Sequence, residues 1–356
     1  MACRWVVRGA AHLLALIVAL AAVAAPVVVP DVPSIGWASG KRSHDVAALQ
    51  AVLSTMGCPL SYEELMVASG AAFRTAWWNT VYSYQARVAA PEDYVLLAAE
   101  AAGCTSAERR SFPTPDEAWT AVCESIDQGR PVVASQDSAA FVICGYDPAG
   151  RQMCVQAYDA QGPEYQLLPF KTYSGPTGQP NELVLVEYDR NTVPPELDWP
   201  AVLRRALEYA DWPADQEVSE HFAFGSGAYD VWAATLRKGL SPQGAANDAS
   251  VTDTMALVIA DARTCAAIAL TNDATLDAAF AEAAQHYMAE AALLRAIEQP
   301  LTGMPQVTWP AAGERMTARF PDPNVREQVA QLVEQAKAEE VAAIEALRKA
   351  LADLGG

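Results

Sequence analysis

Several scarcities bound this chain before any motif is considered. Histidine occurs four times in 356 residues, and neither His44, His221 nor His286 stands at metal-ligand spacing from a second ligand. None of the seven cysteines belongs to a C-x-x-C pair. Zinc sites draw closely spaced Cys and His ligands, so no metal site is expected, and no cofactor motif is present. Basic residues are also few: 24 Lys and Arg face 43 Asp and Glu, for a formal net charge of -19, with no basic cluster outside the N-terminus. Nucleic acid and anionic membrane surfaces are recognised through basic patches, so both are excluded as expected partners. No fixed-period repeat occurs, and the alanine richness is compositional. A hydrophobic content of 52% excludes a disordered chain.

The N-terminus carries a targeting pattern. Arg4 and Arg8 precede the apolar run GAAHLLALIVALAAVAAPVVV, which contains Ala22-Val23-Ala24, a small-residue cleavage pattern. The expectation is a signal peptide over residues 1–24 and an exported chain, either secreted, periplasmic or held on the outer side of a membrane. The apolar run over residues 9–29 is 21 residues, long enough to stay as a membrane anchor ending at about residue 29 instead. Any membrane contact runs through this segment alone. Of the cysteines, Cys3 lies within it; Cys58, Cys104, Cys123 and Cys265 read as small buried residues of helices.

Residues 31–190 place helices first and strands later. Val46, Leu49, Val52, Leu53 and Met56 recur at helical spacing and Gly57 follows as a stop. LSYEELMVASG, PEDYVLLAAEAAG and TPDEAWTAVCESIDQG read as further helices, the last with Thr114 as cap and Gly129 as terminator. RPVVAS, AAFVICGYD, RQMCVQAYD, EYQLLPF and ELVLVEY are short β-branched and aromatic runs bounded by turn residues. This order predicts an α+β domain with an antiparallel sheet. Pro194 and Pro195 mark a boundary. Residues 196–356 read as an all-α helical bundle, closing with a helix from about 324 to 354 whose apolar stripe runs Val325, Val329, Leu332, Ala336, Ile344, Leu347, Leu351.

Helices followed by a sheet, with the nucleophile on the first turn of the opening helix, is the order of papain-like cysteine hydrolases. The helix dipole stabilises a thiolate at that turn. AALQAVLSTMGCPLSYEELMVASGAAF (residues 47–73), GRPVVAS, AAFVICGYD and RQMCVQAYD resemble the compact bacterial branch of that superfamily. Within it the likeness is to the bacteriocin-leader peptidases and, more closely, to the N-terminal domain of the butirosin biosynthesis protein H family. GAYDVWAATLRKG and AAFAEAAQHYMAEAALLRAI are similar to that family's helical C-terminal part. The resemblance puts the nucleophilic cysteine position on His44, or one residue either way on Ser43 or Asp45. It puts the histidine position on Ala139 or Ala140, and the orienting carboxylate on Asp159. Neither the thiol nor the imidazole is present where the resemblance requires it. Cys58 stands 14 residues beyond His44, about 21 Å along a helix, and Cys144 lies roughly 13 to 17 Å along the strand from the alanines. Ser43, His44 and Asp159 could be drawn as a triad, but side chains adjacent on a helical turn diverge by about 100°. The other reading makes Ser43 an N-cap, His44 and Asp45 polar residues of the first turn, and Asp159 a strand-end turn residue.

Trp77, Trp78, Tyr82 and Tyr84 are candidate ligand-binding residues at the mouth of the inherited cleft, as is Asp159 within it; the aromatics read equally as a seam between two domains. His221, Phe222, Phe224 and Tyr229 read as packing residues. Cys144 and Cys154 lie in adjacent strands: a three-residue connection sets them opposite each other at disulfide distance, whereas a two-residue one sets Cys144 opposite Met153. The expected function is that of an exported papain-like pseudoenzyme binding a small molecule, peptide or protein without covalent chemistry. The alternatives are an acyltransferase or cysteine-peptidase-like enzyme with a relocated nucleophile, and a structural or oligomerising module. An open cleft beside His44 and the tryptophans favours binding, and a filled one favours the structural role.

Overall fold

The computed structural model describes residues 25–36, 39–78, 93–136, 139–158, 164–170, 181–211, 222–272, 278–304 and 311–354. Residues 1–24, Tyr82, Tyr84, Asp159 and His221 lie outside them. The first half runs β1 (Val27–Val28), α1 (His44–Thr55), α2 (Tyr62–Ala68), a 3-10 turn (Ala71–Phe73), β2 (Ala76–Trp78), α3 (Tyr94–Ala101), β3 (Ser106–Ser111), α4 (Pro115–Asp127), β4 (Val132–Gln136), β5 (Ala139–Asp147), β6 (Gln152–Ala157), β7 (Gln166–Pro169) and β8 (Glu182–Glu187). The second runs α5 (Trp199–Ala210), β9 (Phe222–Phe224), α6 (Gly227–Lys238), α7 (Ala245–Asn272), α8 (Ala278–Ala296), α9 (Glu298–Thr302), α10 (Ala311–Arg319) and α11 (Pro323–Leu354). The class is α+β with an antiparallel sheet.

Local chemistry explains four of the helix starts. Ser61 and Glu64 form a reciprocal capping box at α2. The Asp93 carboxylate accepts from the Val95 and Leu96 amides at α3, Thr114 caps α4 ahead of Pro115, and Asp198 caps α5. At α1 the expected cap behaves differently. Ser43 occupies the cap position but its side chain makes no capping bond.

The main sheet has strand order β3-β8-β4-β5-β6-β7, with β1 beside β5 and every pair antiparallel. β4 covers residues 139–143 of β5, and β1 continues that flank opposite Gly145 and Tyr146. Side chains alternate across the sheet as a period of two requires. Val133, Ala140, Val142 and Val184 face the core containing α1, while Val132, Phe141, Ile143 and Leu183 face the one beneath α4. A Cβ at position 145 would run into the Val27 carbonyl, so glycine is what lets β1 lie so close.

The structure corrects four expectations. Val27 and Val28 are strand residues and Val29 is buried, so an anchor extending to residue 29 conflicts with the fold. The second half is not wholly helical, because Phe222–Phe224 pairs with Ala76–Trp78. A further strand, Ser106–Ser111, stands at the sheet edge; its polar, charged sequence suits an exposed edge and carries no apolar alternation to announce it. The β5–β6 connection is neither of the two considered: Asp147 pairs with Gln152, residues 148–151 connect them, and a bulge between Ile143 and Gly145 brings Gly145 opposite Cys154. Cys144 and Cys154 are free, buried thiols, and the Cys144 Sγ donates to the Cys154 carbonyl at 3.3 Å.

One hydrophobic core crosses the boundary at Pro194 and Pro195. It unites Leu49, Leu53, Leu65, Phe73 and Val142 with Leu203, Ala266, Phe280, Tyr287 and Leu347. A second core gathers Trp232, Ile259, Phe320 and Val329 together with Trp77 from the first half. Among the described residues α7 is the one helix long and apolar enough to cross a membrane. It packs as a core helix, with Ala256, Ile259, Ala260 and Ala266 buried.

Candidate functional site

The first turn of α1 is buried beside a cavity that α7 also lines. His44 and Asp45 are 2% and 3% exposed. The His44 ring lies against Tyr158, just past β6, with centroids 3.6 Å apart and planes tilted by 34°. The Tyr158 hydroxyl donates to the Lys41 carbonyl at 2.5 Å, which holds the chain entering α1. Asp45 accepts from the Tyr94 hydroxyl at 3.0 Å, and the positive charge of Arg109 acts on the same region. Arg109 is itself clamped between Asp93 (2.5 Å) and Glu182 (3.0 Å).

Arg74, between the 3-10 turn and β2, places its guanidinium between two aromatic faces. It lies 4.7 Å from the Tyr94 ring and 4.6 Å from that of Tyr209, and donates to the Tyr209 hydroxyl at 2.8 Å. From α7, the Asp261 carboxylate accepts from the Arg42 amide at 3.0 Å and from the Tyr62 hydroxyl at 2.6 Å, while that hydroxyl accepts from the Ser43 amide at 2.9 Å. A carboxylate from the helical half thus holds the chain just before α1, through the Arg42 amide and the Tyr62 hydroxyl. Burial pushes the Asp261 carboxyl up, offset by the Tyr62 and Arg42 contacts, and pushes the Tyr62 hydroxyl well up and that of Tyr158 to about 12. Asp253, two turns earlier on α7, is raised to about 6 by burial first and the Glu298 charge second.

Beside these groups lies a partly open cavity of about 70 Å³. Arg42, Ser43, His44, Asp45, Arg74 and Tyr94 supply its polar wall, and Met66, Met255, Val258, Ile259 and Ala262 supply apolar ones. Ser43, His44 and Asp45 therefore meet at one cavity. Ala140 is buried on β5 in the core shared with α1 and offers no proton-transferring group. Asp159, Tyr82 and Tyr84 fall outside the described residues. Trp77 does not line the cavity: it is 2% exposed and stacks on Trp232 at 4.8 Å with planes 11° apart, in the second core. Trp78 is the β2 partner of Phe222. Of the two readings of these aromatics, Trp77 follows the seam.

Among the described residues no cysteine lines the cavity. Burial pushes the thiols of Cys104 and Cys144 up to about 12 and those of Cys123 and Cys154 to about 11, the reverse of activation. Among the described residues no group of His, Cys, Asp and Glu could hold a metal ion. Sequence reasoning missed Arg42, Arg74, Tyr94, Tyr158 and Asp261. Arg74 in AAFRTAWW and Asp261 in VIADART carried a signal, a charge inside an apolar run, which marks a buried partner without identifying it. No protein-family model and no curated protein matches the chain.

Proposed function

We propose that the protein is an exported, papain-like pseudoenzyme with an appended helical bundle, and that it holds a small polar molecule non-covalently beside the first turn of α1. The cavity carries this reading: at the nucleophile position it presents guanidinium, carboxylate, imidazole and phenol groups but no thiol among the described residues. Its volume of about 70 Å³ is room for roughly five waters. That favours a molecule of a few non-hydrogen atoms over a peptide or protein. The basic and apolar N-terminal segment supports export.

Thermal-shift measurements with formate, acetate, methylammonium and urea test the assignment, because a ligand that binds the folded state raises its melting temperature. Ala262→Leu, which fills the cavity from α7, should abolish the shift. Peptidase and acyl-transfer assays should show no turnover, and iodoacetamide should label native thiols more slowly than denatured ones. A covalent acyl adduct that forms and turns over at Ser43 or any cysteine would restore the enzyme reading.

A second reading has its own observation. Met255, Ile259 and Ala262 wall the cavity and Asp261 holds the Arg42 amide just before α1, so the inherited cleft is also a seam between the two halves. If Ala262→Leu stabilises the protein and no ligand shifts wild type, the site is structural.

A further inference from the structure

A second polar cluster lies deeper, apart from the cavity. Arg263 on α7, Glu290 on α8 and Glu340 on α11 are 0, 0 and 1% exposed. Every guanidinium proton has an acceptor. Nη1 donates to the carbonyls of Ala72 (2.7 Å) and Arg74 (3.4 Å), and Nη2 to the Thr75 hydroxyl and to Glu340 Oε1 (2.7 Å). The single Nε proton faces Glu340 Oε2 at 2.9 Å and Glu290 Oε2 at 3.2 Å. Glu340 is therefore gripped by a two-pronged fork, the geometry of an ionised carboxylate. Glu290 receives only a longer share of a proton already committed, while its other oxygen accepts from the Tyr229 hydroxyl.

One guanidinium balances one carboxylate. The remaining titratable groups packed on the cluster are Tyr229 from α6 and Tyr287 from α8, whose ring lies 5.4 Å from the guanidinium; burial pushes both phenols well up, so both are neutral. Thr75 donates to Glu340 Oε1 at 3.4 Å. The two Oε2 atoms lie within about 6 Å of one another, both bound to the same nitrogen, and like charges that close in a dry interior do not both ionise. We infer that Glu290 is a neutral carboxylic acid that donates its proton to Glu340, so that Arg263, Glu340 and Glu290 form a charge-balanced latch joining three helices to residues 72–75. Burial, and then the Glu340 charge, push the Glu290 carboxyl well up, in the same direction. Because Arg263 holds the Ala72 and Arg74 carbonyls, the latch fixes the backbone that presents Arg74 to the cavity.

An acid whose folded pKa is raised stabilises the fold at low pH, and that contribution is lost as pH rises through the folded value. The latch therefore weakens as pH rises above the ordinary carboxylate value near 4.5. Glu290→Gln keeps the shape, and its amide supplies both the donor toward Glu340 and the acceptor for Tyr229. It should melt within about 3 °C of wild type at neutral pH and lose part of the decline in stability that follows rising pH. Glu340→Gln removes the carboxylate held by the fork and leaves Glu290, on its single longer contact, to balance the guanidinium; it should lower the melting temperature by roughly 5–15 °C. Infrared spectra of the wild type at neutral pH should contain a protonated-carboxyl band that Glu290→Gln removes. Equal destabilisation by the two substitutions, or no such band, overturns the assignment. If Glu340→Gln does not accumulate, Glu290→Gln and the infrared band decide it alone.

Discussion

Asp253 shows how one side chain sets a pH dependence. Its carboxyl titrates at about 6 in the folded chain because burial and Glu298 disfavour the charge, with Arg42 opposing. Ionisation is thus harder in the folded state than in the unfolded one. Its stabilising contribution is full below the ordinary carboxylate value near 3.8 and is lost as pH rises through 6. Asp253→Asn should therefore stabilise the protein at pH 7 by up to ~3 kcal/mol and flatten the stability profile between pH 4 and 6, as urea unfolding at each pH would show. A variant that is less stable than wild type at pH 7 would mean Asp253 has a favourable charge partner in the fold. Single residues were also where the sequence said least. Arg263 and Glu290 stand out in Ala-rich helices, and Glu340 falls on the apolar stripe of the last helix, but periodicity cannot say that three such charges meet.

At the scale of elements, the strand pairing hinges on Gly145. The Val29 amide donates to the Cys144 carbonyl at 2.8 Å beside it, so β1 is held by backbone bonds that need a close approach. Gly145→Ala should displace β1 and cost about 1–3 kcal/mol, read as a lower denaturation midpoint and faster hydrogen exchange at the Val29 amide. Unchanged exchange there would show that the strand is held by other contacts. Helices were legible because caps and terminators are local: Ser61, Asp93, Thr114 and Asp198 each bond within their own first turn. Gly57, at φ +94°, ends α1 where the apolar spacing does. β3 and β9 were not legible, since a polar edge strand and a three-residue strand take their identity from β8 and β2. The bulge at Cys144 likewise belongs to a pairing, and no count of loop residues reveals it.

Across the whole molecule, the core that joins Leu65 and Phe73 to Phe280 and Leu347 makes the two halves depend on each other. Calorimetry should give a single unfolding transition for the full chain. Residues 31–190 expressed alone should lack cooperative unfolding, because removing the second half uncovers α2, the 3-10 turn and the inner side of α1. Two resolved transitions, or a fragment with a native near-ultraviolet spectrum, would show that the halves fold separately.

The sequence by itself determined the order of most helices and strands and the α+β class. These follow from local spacing, capping chemistry and residue identity. Only the tertiary structure decided that α7 would wall the cavity at the first turn of α1 and hold the chain entering it, that Trp77 would stack into the second core, and that Arg263, Glu290 and Glu340 would meet. Those outcomes depend on which surfaces bury one another over long stretches of chain. Arg263 and Glu340 stand 77 positions apart, and burial at that separation leaves no periodic mark on the sequence.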